Sequence, residues 1–422
     1  MNEPRRVLLL GGGYVTLHAY RSMVRRLRPQ LRRGEVELVV LSADDAHGFH
    51  GFTGEVVAGL LPYELTRTPL VGALPRARVV HGRALRVDVG RRTVAYAPAD
   101  GGPAGELSYD ELVVGTGGRE PVRDVPGLAE HGVTLRGPGE IAALVARVRS
   151  TLGSAARGDA AARTVLVAGG GLAGVELAAA LAHLGRAEDG LRVVLVHSGP
   201  ALVPALRESH PRLADRCATE LARLGVEVRT GTRLASVTAT RAVLSDGTTV
   251  ATTTVLATTG QRPVVVPGLD DLPRDTRGRV VTARDLRAID GVWAAGDVAR
   301  VLHPRTGQPV PANALWAIKA GAHAGRNVAR SLRGHRTRAF DYRGLGQAAA
   351  FAPGRAVAEL YGVPLTGWTA WLLRLAFFLR FVPSRRTAVQ VALELAAALR
   401  THHGAVGGAA AATPAPEVPV AA

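Results

Sequence analysis

The run Thr164–Leu181, TVLVAGGGLAGVELAAAL, constrains the fold more than any other stretch, because it reads as strand, glycine turn and helix without a break. Gly169, Gly171 and Gly174 have GxGxxG spacing. In that pattern the first glycine makes a tight turn, the second lets backbone approach a pyrophosphate, and the third lets helix and strand touch. The helix that follows would present free N–H groups and its positive dipole end to the phosphates. GxGxxG by itself also occurs in ordinary loops. Here the β-rich run before it and the alanine-rich helix after it point to a dinucleotide site.

A related unit opens the chain: Arg6–Tyr20, RVLLLGGGYVTLHAY, has Gly11 and Gly13 in place and Thr16 where the third glycine would fall. A threonine there should hold helix and strand slightly apart. The strand Val36–Leu41 then ends in Ser-Ala-Asp-Asp, where Asp44 or Asp45 is placed to reach a ribose hydroxyl or simply to face solvent. Ala46–Pro62 is dense in His, Phe and Gly, a composition that suits wrapping a cofactor better than plain core packing. Short alternating segments from Arg78 to Val114 predict a β-meander, closed by Thr116-Gly117-Gly118. After a helix at Ile141–Leu152, the central unit continues through the strand Leu191–Val196. His197 stands where an acid that holds the ribose of NAD commonly closes this strand, so a strict choice of NADH over NADPH loses its usual support.

Thr253–Pro263, TTVLATTGQRP, repeats the strand-then-Thr-Gly layout of Thr116, here with Thr259 and Gly260. Gly291–Arg300 is a short buried strand ending in Gly296-Asp297, an acid well placed to bond a sugar-alcohol chain whose phosphate lies on another helix. Pro311–Leu332 is a helix whose N-terminus could sit against a ring. The segments that complete the opening unit thus come after the central one. The predicted class is α/β, with two Rossmann-like dinucleotide-binding domains, the second inserted in the first, plus a C-terminal α/β extension.

At 422 residues and 47% hydrophobic content the chain can bury a multi-domain core. Its one cysteine, Cys217, excludes a disulfide framework, a CxxC redox pair and a cysteine-based metal site, and no other metal site is expected. Redox chemistry would have to reside in a bound cofactor. The N-terminal apolar run is short and enters a strand at once, which favours a cytoplasmic protein over a secreted one. Net charge is +17, yet the arginines are dispersed and Lys319 is the single lysine, a pattern that fits biased codon usage or a preference for anionic membrane surfaces better than nucleic acid.

The landmarks GGGYVT at Gly11, TGG at Thr116, GGGLAGVELA at Gly169, ATTG at Ala257 and WAAGDVA at Trp293 resemble, in order, those of the flavoproteins with two dinucleotide-binding domains. Phe340–Leu360 and Gly367–Phe381 resemble the C-terminal part of type II, non-proton-pumping NADH dehydrogenases; the resemblance covers about residues 5–398. It implies FAD on Gly11 and Gly13 with Asp297 on the ribityl chain, and NADH or NADPH on Gly169, Gly171 and Gly174. Thr16, Asp44, Thr116, Gly117, His197, Thr259, Gly260, Gly296, Ala314 and Leu315 complete the implied cofactor-binding set. Glu176 matches the glutamate kept beside nicotinamide and flavin, and Trp316 and Lys319 join it as catalytic candidates. The family's two quinone-segment glutamines are replaced, by this alignment, with Leu315 and Ala320.

The implied domains are 1–135 for FAD with the meander, 136–265 for NAD(P)H, 266–338 for the second FAD part, 339–400 for a membrane-surface or dimer region, and a disordered 401–422 tail. Gly367–Phe381 is shorter than a span of about 20 apolar residues. Arg374 and Arg380 interrupt it, and a second helix, Val389–Leu399, follows Pro383, so an amphipathic pair lying in the lipid interface is expected. The implied activity is transfer of a hydride from nicotinamide to flavin and of electrons on to a quinone or other small acceptor, at the inner face of the plasma membrane. A reductase of ferredoxin or oxygen, and a non-catalytic NAD(H)-binding sensor, are the rival readings; a homodimer is among the expected assemblies.

Overall fold

The structure is a computed structural model and describes residues 3–137, 139–152, 159–187 and 190–409. Five mutually parallel strands build the first sheet's core, in the order Val292–Ala294, Glu111–Val114, Arg5–Leu10, Val36–Ser42 and the first half of Arg78–Asp88. Val7, Leu8, Leu9 and Leu10 are all buried, as expected of a strand covered on both faces. The second half of Arg78–Asp88 turns antiparallel and pairs with Thr93–Pro98, which pairs with Gly105–Ser108. This is the predicted meander, hung on the edge of the parallel sheet.

The chain leaves this sheet after Val114 and returns at Val292, directly beside the strand it left. Between the two points lies a second parallel sheet, ordered Gly132–Val133, Thr254–Ala257, Thr164–Ala168, Arg192–His197 and Glu227–Thr230. A separate antiparallel sheet runs through Leu234–Val237, Arg241–Leu244 and Thr249–Ala251. The two crossings between domains pair with each other, Gly118–Arg119 against Arg262–Pro263.

Helix Tyr14–Arg26 packs along helix Ala314–Ser331 more closely than large side chains would permit. A Cβ on Gly321 would fall 2.6 Å from Val15 backbone, and one on Gly325 would fall 2.3 Å from the Ala19 carbonyl oxygen. The later helix therefore makes a close backbone approach to the opening helix; Thr16 itself is fully buried.

The C-terminal part is an antiparallel sheet of Gly346–Ala352, Arg355–Leu360 and Val363–Thr366, followed by helices Gly367–Phe381 and Arg385–Ala409. The last helix runs on past Leu399 to Ala409, so the expected tail begins as helix; 410–422 lie outside the described residues. No helix among the described residues is long and apolar enough to cross a membrane.

Candidate functional site

Both glycine turns have the geometry of a phosphate cradle. Gly11 has φ +96° and its Cβ would strike the Gly115 carbonyl oxygen at 2.7 Å; Gly169 has φ +120° and would strike that of Thr258 at 2.3 Å. Gly13 and Gly171, by contrast, face space with no protein atom within 4 Å of an added Cβ. Gly174 does the third job literally, since its Cβ would sit 1.8 Å from the Gly169 carbonyl oxygen. Gly13 caps helix Tyr14–Arg26 with no side-chain bond, which leaves first-turn N–H groups for an anion. Thr258, a residue the motif did not single out, locks the second turn by donating its hydroxyl to the Ala168 and Gly169 carbonyls at 2.8 and 2.9 Å. Its neighbours Thr259 and Gly260 are exposed at the same strand end.

The ends of the neighbouring strands supply polar groups. Asp44 is half-buried and burial raises its pKa, while Asp45 turns outward to Arg67 at 2.7 Å; of the two, Asp44 is the one left to a ribose. Thr116 donates its hydroxyl to the Val264 carbonyl, fixing the Thr116-Gly117 turn against the returning chain. Gly296 adopts φ +73° against Val15, and Asp297 follows it with a side chain 11% exposed. Burial raises the Asp297 pKa, opposed by Arg136, whose Nη1 lies 3.1 Å from the carboxylate. The buried Glu120 has one oxygen 3.5 Å from Arg136 and the other without a partner. A cradle with open space at Gly13 and a buried carboxylate at the adjoining strand end fits the pyrophosphate and polyol of FAD.

In the second domain the Gly170 N–H donates to Nδ1 of His197 at 3.3 Å, and Nε2 of that ring is buried without a partner. The imidazole therefore occupies the place beside the glycine loop, and no carboxylate replaces it. Burial depresses its pKa, which keeps it neutral.

Glu176 belongs to a buried three-part ion cluster that the sequence did not suggest. Its Oε1 accepts from the Ala350 N–H at 3.0 Å and from Arg374 Nη2 at 2.6 Å, while Arg374 Nη1 reaches Glu55 at 2.5 Å. The same guanidinium donates to the Gly51 carbonyl at 3.0 Å and lies over Phe378, 4.7 Å from the ring centre. Arg374 is 4% exposed, so the expectation that it faces a lipid interface is wrong: it points into the protein and ties the C-terminal helix to the first two domains. Two carboxylates share one cation, and Glu176, desolvated, has its pKa raised despite Arg374. A small cavity beside this cluster, about 30 Å³, is also lined by His183 and Trp371. The aromatic residues of the 46–62 loop pack on the same helix: Phe49 and Phe52 meet Phe378 at 6.1 and 5.7 Å, and His47 Nδ1 bonds the Gly12 carbonyl oxygen at 3.0 Å.

Helix Ala314–Ser331 starts at Asn313, whose side chain accepts from the Trp316 N–H at 3.0 Å. Trp316 packs edge-on against Tyr342 at 4.8 Å and His303 at 5.8 Å, and the Lys319 ammonium lies 5.3 Å from the Tyr342 ring centre. Ala314 and Leu315 are half-buried at the helix start. Ala320 is fully buried, so Leu315 and Ala320 do not form one face; the residue a turn along from Leu315 is Lys319. Among the described residues no cluster could hold a metal ion.

Several known proteins are similar to this chain over most of its length. A demethylphylloquinone reductase of Synechocystis is 26% identical over 92% of this chain and 95% of its own length. A type II NADH:quinone oxidoreductase of Staphylococcus saprophyticus is 22% identical over 88% and 94%. The NDH2 structure from Plasmodium falciparum solved with NADH superposes with a TM-score of 0.81 at 12% identity, covering 93% of this chain and 97% of that one. A water-forming NADH oxidase of Lactobacillus brevis, bound to NADH, matches with a TM-score of 0.67 at 19% identity, covering 84% and 74%. The family model described as pyridine nucleotide-disulphide oxidoreductase matches residues 38–321, and the chain belongs to that family.

Proposed function

We propose that the chain is an FAD-dependent NAD(P)H dehydrogenase that passes electrons to a quinone-type acceptor at a membrane surface. The observation that carries this reading is the pair of glycine cradles, each with an open second glycine, in a chain whose one cysteine is buried and pairs with nothing. A disulphide route is therefore closed, and the family's other carrier, the flavin, is left. The chemistry FAD supplies when bound is acceptance of a hydride from the reduced nicotinamide and two-electron delivery to the acceptor.

Gly11, Gly13 and the N–H groups after them would hold the FAD pyrophosphate, Asp44 the ribose and Asp297 the ribityl hydroxyls, with Arg136 steadying that carboxylate. Gly169, Gly171 and Gly174 would hold the nicotinamide nucleotide, with Thr258 keeping the turn rigid. Glu176, desolvated and bonded to the Ala350 N–H, is the group able to keep or release a proton near the reacting rings. Trp316 and Lys319 would bound the acceptor side at the start of helix Ala314–Ser331. Support for a quinone comes from the Synechocystis and Staphylococcus relatives, which span nearly the whole chain.

Exposed Tyr361, Val363, Trp368, Leu372, Leu373, Val389 and Leu393 all fall in the C-terminal part, and arginines 380, 385 and 386 are exposed among them. An apolar face edged with arginine suits the lipid interface. A second copy of the chain is the competing occupant.

The test is rapid-mixing reduction of the yellow protein by NADH and by NADPH, then reoxidation by menaquinone and ubiquinone analogues, ferredoxin and oxygen. Fast reoxidation by a quinone analogue is expected. Protein that binds no flavin even on reconstitution would overturn the proposal, and tight nucleotide binding with negligible turnover would replace it with a sensor.

A further inference from the structure

His197, the last residue of strand Arg192–His197, is flanked by glycines on both sides of its ring. A Cβ on Gly170 would fall 2.7 Å from its Cγ, and one on Gly199 would fall 2.8 Å from its Nε2, so the imidazole fills the space that two absent side chains leave. The backbone is pinned as well: the His197 carbonyl accepts the Thr232 N–H at 3.2 Å, and the Gly199 carbonyl accepts the Gly231 N–H at 2.9 Å. The ring is thereby set against the second glycine cradle, where the Gly170 N–H donates to Nδ1 at 3.3 Å.

A ring nitrogen that accepts a hydrogen bond carries no proton, so in the neutral imidazole the proton sits on Nε2 and that nitrogen is a donor. Nε2 is buried and has no partner; the Ala201 carbonyl is near enough to oppose the fall in the ring's pKa, yet stands outside hydrogen-bond geometry. A buried donor without an acceptor is costly, and a bound oxygen would relieve it. An acid at this strand end accepts from the ribose of NADH, and its charge also turns away the extra ribose phosphate of NADPH. Here the strand runs out through His197-Ser198-Gly199-Pro200-Ala201, without an acid. Glu227, on the neighbouring strand, is occupied by Arg192 and Arg229 at 2.5 and 2.6 Å, and Ser198 is exposed.

We infer that His197 opens the second cradle to NADPH as well as NADH, its Nε2–H donating to the ribose oxygen that is a hydroxyl in one and a phosphate ester in the other. The inference rests on the nucleotide site proposed above and names what that site admits. An N–H donor gains more from a charged oxygen than from a neutral one, which works against the cost of stripping water from the phosphate. A carboxylate in the same place would reverse the sign, since like charges at contact distance repel. His197 is therefore a specificity-determining residue, acting at the adenosine end of the nucleotide while the hydride leaves from the nicotinamide end.

The test uses flavin-loaded full-length protein and calorimetric titration with NAD+ and NADP+, which bind without turning over. Wild type should bind the two with dissociation constants within about tenfold of each other. His197→Asp should widen that gap at least about tenfold by weakening NADP+, and His197→Gln, a neutral donor of similar reach, should keep the wild-type ratio. A wild-type gap larger than about tenfold in favour of NAD+ would overturn the inference and leave the nucleotide site standing. So would an unchanged ratio in His197→Asp, or a His197→Gln protein as selective as His197→Asp. Binding of neither nucleotide by wild type would overturn the nucleotide site itself and the inference with it. The wild-type ratio decides the matter even if the aspartate variant fails to fold.

Discussion

Arg374 shows how one side chain can set the character of a whole segment. In the sequence it interrupts an apolar run and looks like an interfacial charge, because its two partners, Glu55 and Glu176, lie 319 and 198 residues away. No local pattern carries that contact. Removing the cation strands two buried carboxylates, so Arg374→Met should cost about 3–5 kcal/mol in denaturant unfolding. The loss should shrink as pH falls, since protonating the glutamates removes the stranded charge, and a loss independent of pH would contradict the cluster. The histidines behave in the opposite sense. Burial lowers His47 from 6.5 to about 4 and His18 to about 3. The unfolded chain then binds more protons between 6.5 and those values, so their contribution is complete above 6.5 and is lost as pH falls toward about 4. Melting temperature followed from pH 7.5 downward should begin to fall near 6.5, and His47→Asn should flatten part of that slope.

The two glycine elements can be told apart by which space each glycine guards. Gly171 faces open space, so Gly171→Val should leave a folded, yellow protein that NADH and NADPH no longer reduce. Gly174 touches Gly169 backbone, so Gly174→Ala should wedge helix from strand and lower the melting temperature as well. A colourless Gly171→Val protein would contradict the separation of the two sites. These turns were legible because their requirement is local: a backbone angle, a missing Cβ, a helix start. The close approach of the opening helix to Gly321 and Gly325, three hundred residues on, was not legible, because nothing in the helical pattern of Pro311–Leu332 marks those glycines. Leu315 and Ala320 illustrate the other limit: an alignment by motif does not reveal which face a residue takes, whereas burial of Ala320 does.

At the scale of the molecule, the nested order of the two domains was readable from motif order alone, because strand-turn-helix units recur and each has a fixed partner type. The C-terminal part was only half readable. Its amphipathic helices were foreseen, but their anchorage was not, and truncation after Val363 would remove Arg374 and Phe378 from Phe49 and Phe52 along with the surface. A milder change tests the surface itself: Trp368→Ser with Leu372→Gln and Leu373→Gln alters only side chains that are exposed or nearly so, at 49%, 53% and 39%. Flotation on vesicles should fall at least about tenfold while melting temperature holds, since each apolar side chain withdrawn from lipid loses about 1.5–3 kcal/mol. A change in sedimentation from dimer to monomer, with flotation intact, would assign the surface to a second copy instead.

The interruption of the first sheet between Val114 and Val292 also imposes an order of birth. During synthesis the opening strands emerge without the neighbour that flanks Glu111–Val114, and must wait while the whole intervening sheet, which is contiguous, is threaded out. The nucleotide domain can therefore close first on the ribosome, while the opening sheet exposes an unpaired strand edge until its last parallel strand arrives.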